Sequence, residues 1–353
     1  MPTLDRHFWL VIVASLALGI AGVGLAVAGN PENSGICISC FLENSAGALG
    51  LHDNARMQYL RPEIIGFVLG AVLSAGLFRE FNSRGGSAPL VRLLAGIFLM
   101  IGCGVFIGCP IKLFLRLTAG DLTSLAGLAG LVAGVWIGLR GLAAGIHFGR
   151  AEKQRGSGWW IPCLGVALLL FYLFRPGFLL FSTSGSAAQH APMLLSLGAG
   201  LLLGMLAQRS RFCITGSIRD SFLMRGRTPL LWGLLVFVVV AVGFNLFSGQ
   251  FRLGMYGQPG AHLQHFWSFA GMALVGWLSV LIGGCPFRQL IKAGEGDADA
   301  GLVVIGMVIG GGLVQAWGLT ATAAGVPFYG KVATLVGFLF LLTNSLLWRD
   351  RTS

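Results

Sequence analysis

Ile107-Gly108-Cys109-Pro110-Ile111-Lys112 and Gly283-Gly284-Cys285-Pro286-Phe287-Arg288 are two versions of one motif, and the 176 residues from Cys109 to Cys285 set the register of the whole chain. The same shift superposes Gly22, Gly24 and Leu25 on Gly198, Gly200 and Leu201, and Cys37-Ile38 on Cys213-Ile214. It also brings Ser45 onto Ser221, Gly50 onto Gly226, Gly120-Asp121 onto Gly296-Asp297, and Gly130 and Gly134 onto Gly306 and Gly310. A chain with 55 glycines matches glycines by chance, but it does not readily match two pairs drawn from only 7 cysteines. The chain is an internal duplication, and every later reading depends on that.

The unit that is duplicated belongs in a membrane. Of 353 residues, 55% are hydrophobic and 10% charged, too little charge to cover a soluble surface. A hydrocarbon core about 30 Å thick takes roughly 20 apolar residues per helix. Ten stretches qualify, near residues 8–28, 62–78, 90–107, 122–147, 160–181, 192–208, 229–248, 266–283, 300–318 and 330–348. The expected fold is therefore an all-α polytopic membrane protein. Repeat one covers 1–147 with spans one to four, a connector with span five covers 148–190, and repeat two covers 191–318 with spans six to nine. Span ten lies in 319–353. Equivalent spans are separated by an odd number of crossings, so the copies are expected to be inverted, an architecture that in transporters puts binding sites at the repeat interface near the midplane.

The net charge of +11 invites a nucleic-acid reading, which the placement of the cations removes. If the spans alternate from a cytoplasmic N-terminus, one side receives Arg6 and the clusters at 79–84, 150–155, 209–227, 288–292 and 349–351. The other side receives Arg56, Arg61, Lys112, Arg116 and Arg252. This is the positive-inside pattern of an inner-membrane protein with both termini in the cytoplasm. Arg6 and the small-residue run at Ala26-Val27-Ala28 also resemble a secretory signal. The length of the first span and its counterpart in repeat two favour a retained helix.

The Gly-Cys-Pro motifs open short apolar stretches, Gly108 to Leu117 and Gly284 to Ala293. Ten helical residues rise about 15 Å, too little to cross, so each reads as a re-entrant half-helix, near 109–118 and 285–293. Proline favours the first helical position, which puts Cys109 and Cys285 at the N-caps, where unpaired N–H groups and the positive end of the dipole suit an anion. Lys112 and Arg288, equivalent across the repeat, add a cation one turn in. Cys37 and Cys213 lie in two further mildly apolar loops, near 36–50 and 212–226, with hydroxyls Ser39 and Thr215 at equivalent positions. These read as a second pair of half-inserted segments, making Cys37, Cys109, Cys213 and Cys285 a ladder of thiols. Against this stands the ordinary role of a buried cysteine as a small hydrophobe, which is the reading for Cys163, alone in span five. Cys103 either lines the path or packs. Cys37-x-x-Cys40 reads as a path thiol with a neighbour, or as a disulfide or redox pair on an oxidising face. Zinc is disfavoured for lack of a second such pair, and the six histidines have no ligand spacing. Asp121 and Asp297 precede apolar spans and are expected to be helix N-caps rather than proton carriers. No ATP-binding motif, catalytic triad, metal cage or cofactor fingerprint is visible.

On Ile107–Lys112, Gly283–Arg288 and Arg211-Phe212-Cys213-Ile214-Thr215-Gly216, the chain resembles the YeeE/YedE family of bacterial membrane proteins, whose characterised type takes up thiosulfate. The stretches Cys37 to His52 and Tyr59 to Gly66 look more like its selenium-associated YedE branch. The resemblance implies an hourglass-shaped protein whose constriction cysteines pass a soft sulfur anion from an outer to an inner vestibule. It carries to Cys109 and Cys285 through their motifs and more loosely to Cys37. It also implies delivery to a cytoplasmic sulfur or selenium carrier protein of the TusA type. Cys40 and Cys103 are extra relative to the thiosulfate pattern, which leaves room for a selenium species. The expected function is thus a transporter or channel for a small sulfur or selenium anion, not an enzyme. The alternatives are a membrane thiol-disulfide electron carrier, which needs cysteines able to pair with each other, and a membrane-embedded sulfur or selenium transferase working through a persulfide or perselenide.

Overall fold

A computed structural model describes residues 2–149, 151–224 and 228–347, without the side chains of 2–5. Gly226 and the cations Arg150, Arg225, Arg227, Arg349 and Arg351 lie outside the described residues. The described residues are mostly helical. Repeat one holds α1 (Pro2–Val27), α2 (Ile38–Ala48), α3 (Pro62–Leu77), α4 (Pro89–Phe106), α5 (Pro110–Thr118) and α6 (Ser124–Ala143). After α7 (Trp160–Phe174) come α8 (Met193–Ser210), α9 (Ile214–Leu223), α10 (Pro229–Phe247), α11 (His265–Leu281), α12 (Pro286–Gly294) and α13 (Ala298–Ala316), and then α14 (Phe328–Leu347). Among the described residues, 9 helical segments are long and apolar enough to cross a membrane, and α3 is a shorter apolar helix. Large apolar side chains such as Leu194, Phe247 and Phe266 stand exposed on the outside, as a surface meant for lipid requires.

The helix starts repeat as the sequence does. α2 and α9 begin at Ile38 and Ile214, α4 and α11 at Pro89 and His265, and α5 and α12 at Pro110 and Pro286, each pair at the same shift. Packing is reciprocal as well: α1 lies on α10 and α3 on α8, while α6 lies on α11 and α4 on α13. These crossings are close because glycines meet there. A Cβ at Gly96 would come within 2.3 Å of the Val303 carbonyl oxygen, and one at Gly306 within 2.1 Å of that of Leu93. Helices in lipid associate through such backbone approach rather than through burial of apolar surface from water.

The short helices α5 and α12 occupy the interior. Every residue of α5 except Leu117 is buried, and every residue of α12 except Lys292. Each ends on a cation that complements its dipole: Arg116 Nε lies 2.7 Å from Asp121 Oδ2, and Lys292 Nζ 3.4 Å from Asp297 Oδ2. These pairs modify the expected role of the two aspartates. Asp297 does cap α13, accepting from the Ala300 N–H at 2.9 Å. Asp121 does not cap α6, because the chain makes a further turn and Thr123 takes the N-cap. Its carboxylate instead holds Arg116 and accepts from the Thr123 N–H at 2.9 Å.

Two details depart from the helical expectation. α7 stops at Phe174 rather than near 181, because Arg175 takes a left-handed conformation (φ 45°) and Pro176 cannot continue the ladder. The loops after α3 and α6 are tied by a two-residue antiparallel pair, β1 (Arg84–Gly85) and β2 (Glu152–Lys153). Beside it, burial works against ionisation of Glu80, but hydrogen bonds from Gln208 and Arg209 and the charges of Arg209 and Arg211 outweigh it and hold the carboxyl below its usual range.

Candidate functional site

All four duplicated cysteines are helix N-caps. Cys109 and Cys285 cap α5 and α12, each followed by proline at the first helical position. Cys37 and Cys213 cap α2 and α9, and there the sulfur itself accepts a backbone hydrogen bond, from Cys40 N–H at 3.3 Å and from Gly216 N–H at 3.4 Å. The sequence reading placed the first pair at caps and missed the second. The signal was present in the hydroxyls two residues on, since Ser39 Oγ lies 3.5 Å from Cys37 Sγ and Thr215 Oγ1 3.2 Å from Cys213 Sγ. Four short helices thus present sulfur at the positive ends of their dipoles.

The cysteines are not equally connected. Cys285 Sγ lies 3.4 Å from Cys213 Sγ, and the Cys285 N–H points at the same sulfur at 3.5 Å. Cys103 is buried in α4. Cys37 is joined to Cys40 in a disulfide with a Cα separation of 5.4 Å. Cys163 is exposed on α7, away from the others, so its surroundings are those of the protein's outer face and not of a core.

Two cavities meet this sulfur cluster. The larger, of about 700 Å³, is lined by Cys40, Glu43, Asn44, Ile107 and Lys112 among others. The smaller, of about 380 Å³, is lined by Gly216, Arg219, Asp220, Gly283 and Arg288, the same five positions one repeat later, together with Cys213 and Thr215. Cys109 and Cys285 line neither and are 1% and 0% exposed.

The two cations at equivalent positions differ in charge balance. Lys112 Nζ points to Cys40 Sγ at 3.8 Å. Arg288 is bound to Glu295 at 3.0 Å, and Glu295 also holds Arg211, so its charge is largely compensated. Glu43 and Glu295 were both missed from sequence. Glu43 accepts from Gln315 Nε2 at 2.6 Å inside the larger cavity. An acidic residue in the middle of an apolar half-helix was the available signal. Hydrogen-bond donors, soft sulfur and cations around these two cavities make a site able to receive a small anion.

Comparison with known proteins agrees with that chemistry. Residues 209–347, which contain α9, α12, Cys213 and Cys285, match the protein family described as Sulphur transport. The chain is also 33% identical over 105 residues to the thiosulfate transporter TsuA of Escherichia coli (strain K12), a stretch that is 30% of this chain and 29% of that protein. The match thus spans less than a third of the relative's length. The sulphur-transport match and the thiosulfate-transporter relative agree with the resemblance to the YeeE/YedE family carried by the duplicated Gly-Cys-Pro motifs.

Proposed function

We propose that the chain carries a small sulfur or selenium anion, thiosulfate or a related species, inward across the bacterial inner membrane. The anion enters the larger cavity, passes the buried thiols of Cys109 and Cys285, and leaves by Cys213 into the smaller one. The observation that carries this reading is that equivalent positions of the two copies line the two cavities while the capped Cys109 and Cys285 are buried outside both. Reciprocal packing of the copies supports an inverted repeat, in which one half-helix pair opens outward and the other inward. Weak, polarizable thiol donors in series bind an ion without trapping it. A cytoplasmic carrier of the TusA type is the proposed acceptor beside Arg211 and Arg219 at the smaller cavity. The charge asymmetry supports both termini on that same side.

Proteoliposomes offered labelled thiosulfate, selenosulfate, selenite and sulfate in parallel test the reading and separate sulfur from selenium. Uptake of thiosulfate or selenosulfate is expected, with sulfate excluded. Cys109→Ala and Cys285→Ala are each expected to lower uptake about tenfold, as loss of a donor of about 1.5 kcal/mol would, and Cys163→Ala to leave it unchanged. Undiminished uptake by the Cys109→Ala/Cys285→Ala double variant would remove the thiol path.

A second reading, thiol-disulfide electron transfer, is favoured by the Cys37–Cys40 disulfide and by the 3.4 Å approach of Cys213 to Cys285. It requires a Cys213–Cys285 disulfide that forms and breaks with turnover, which trapping with an alkylating reagent during uptake would reveal.

A further inference from the structure

The two copies differ in one sulfur. Position 40 is cysteine in the first copy, and its counterpart is Gly216 in the second. As a result Cys213 stays a thiol, while Cys37 is tied into the disulfide with Cys40. That disulfide is chemically lopsided. Cys40 lines the larger cavity with Lys112 Nζ 3.8 Å from its sulfur. Cys37 is 0% exposed, and its sulfur sits on the N-cap of α2, facing the Cys40 N–H at 3.3 Å and the Ser39 hydroxyl at 3.5 Å. One sulfur therefore faces arriving anions beside a cation, and the other is held where a thiolate would be stabilised by N–H and O–H donors and the helix dipole. Disulfide exchange is fastest when the leaving sulfur is a stabilised thiolate and the attacked one is accessible.

We propose that the Cys37–Cys40 disulfide is a reversible covalent capture site for anions that end in a nucleophilic sulfur or selenium; the proposal rests on the transport reading and names its substrate class. The terminal chalcogen of the anion attacks Cys40 Sγ, forming a new chalcogen–sulfur bond as the Cys40–Cys37 bond breaks. Cys37 leaves as a thiolate and takes the bonding pair, and no proton or external electron is needed. Release is the reverse: the Cys37 thiolate attacks Cys40 Sγ and expels the anion unchanged. Sulfate has no such terminus and cannot make the bond, so the step discriminates by nucleophilicity where charge and size do not. Lys112 positions the anion and offsets the charge it brings into the cavity.

The test is to expose the full-length protein, purified without reductant, to thiosulfate or to sulfate, alkylate free thiols, and map the peptides by mass. With thiosulfate, an adduct on Cys40 and an alkyl group on Cys37 of the same molecule are expected, and neither with sulfate. Cys40→Ala should abolish the adduct. Lys112→Gln should slow its formation about tenfold, with Lys112→Arg restoring it. Free Cys37 and Cys40 thiols in the purified protein, or an intact disulfide that gives no adduct, would overturn the proposal. Uptake measured on the same preparation keeps the two readings apart. Uptake without adduct sinks the capture step and leaves transport standing, whereas adduct without uptake supports capture and removes the transport reading.

Discussion

A cysteine sulfur at a helix N-cap is a different reagent from one on a helix flank. At the cap it faces N–H groups that the helix leaves unpaired, and the dipole favours negative charge beside it. Cys213 sits in such a place, its sulfur accepting from the backbone N–H groups of Gly216 and Cys285. Cys163, on the outer side of α7, has neither. Serine keeps a donor at the cap but not soft sulfur, so Cys285→Ser is expected to retain partial uptake in proteoliposomes. A thiol-disulfide carrier would lose all of it, because serine forms no mixed disulfide. The two cations should separate in the same assay. Lys112→Gln is expected to raise the half-saturation concentration about tenfold and Arg288→Gln only about threefold, since Glu295 already offsets the arginine charge. Equal effects would mean that compensation by Glu295 does not reach the anion.

At the scale of elements, the short helices α5 and α12 are held by what surrounds them. α5 and α12 are too short to span, and their ends stay satisfied inside the protein through Arg116–Asp121 and Lys292–Asp297. Around them the long helices cross at glycines. Gly96→Val places side-chain carbon where the Val303 carbonyl oxygen stands 2.3 Å from an ideal Cβ. It is expected to cost about 2–3 kcal/mol through overpacking, read as a lowered unfolding midpoint in detergent. Gly198→Ala, with nothing within 4 Å of the added carbon, should leave the midpoint unchanged or slightly raised. A tolerant Gly96 would place the α4–α13 contact elsewhere.

For the whole molecule, the distribution of charge makes a claim that can be tested without transport. In a Cys163→Ala background, Arg56→Cys should react with a membrane-impermeant thiol reagent added outside intact cells, and Arg155→Cys only after permeabilisation. Both positions are exposed, so accessibility does not differ between them. The reverse pattern would invert the assignment and put the larger cavity on the cytoplasmic side.

Much of this architecture was legible in one dimension. Hydropathy and proline positions located the long helices, and the spacing of two Gly-Cys-Pro motifs located α5 and α12, because helix starts and apolar lengths are local properties. The repeat then tied Cys37 to Cys213 before any contact was visible. What the chain order could not supply was partnership across distance. That Glu295 also holds Arg211 from 84 residues away, and that Glu43 meets Gln315 from 272 residues away, depend on how helices pack. The asymmetry of the sulfur cluster belongs to the same class. Sequence set a cysteine at 40 opposite a glycine at 216, but only the fold put the Cys40 sulfur in a cavity beside Lys112 and buried its disulfide partner on a helix cap, because exposure and charge environment are fixed by tertiary packing.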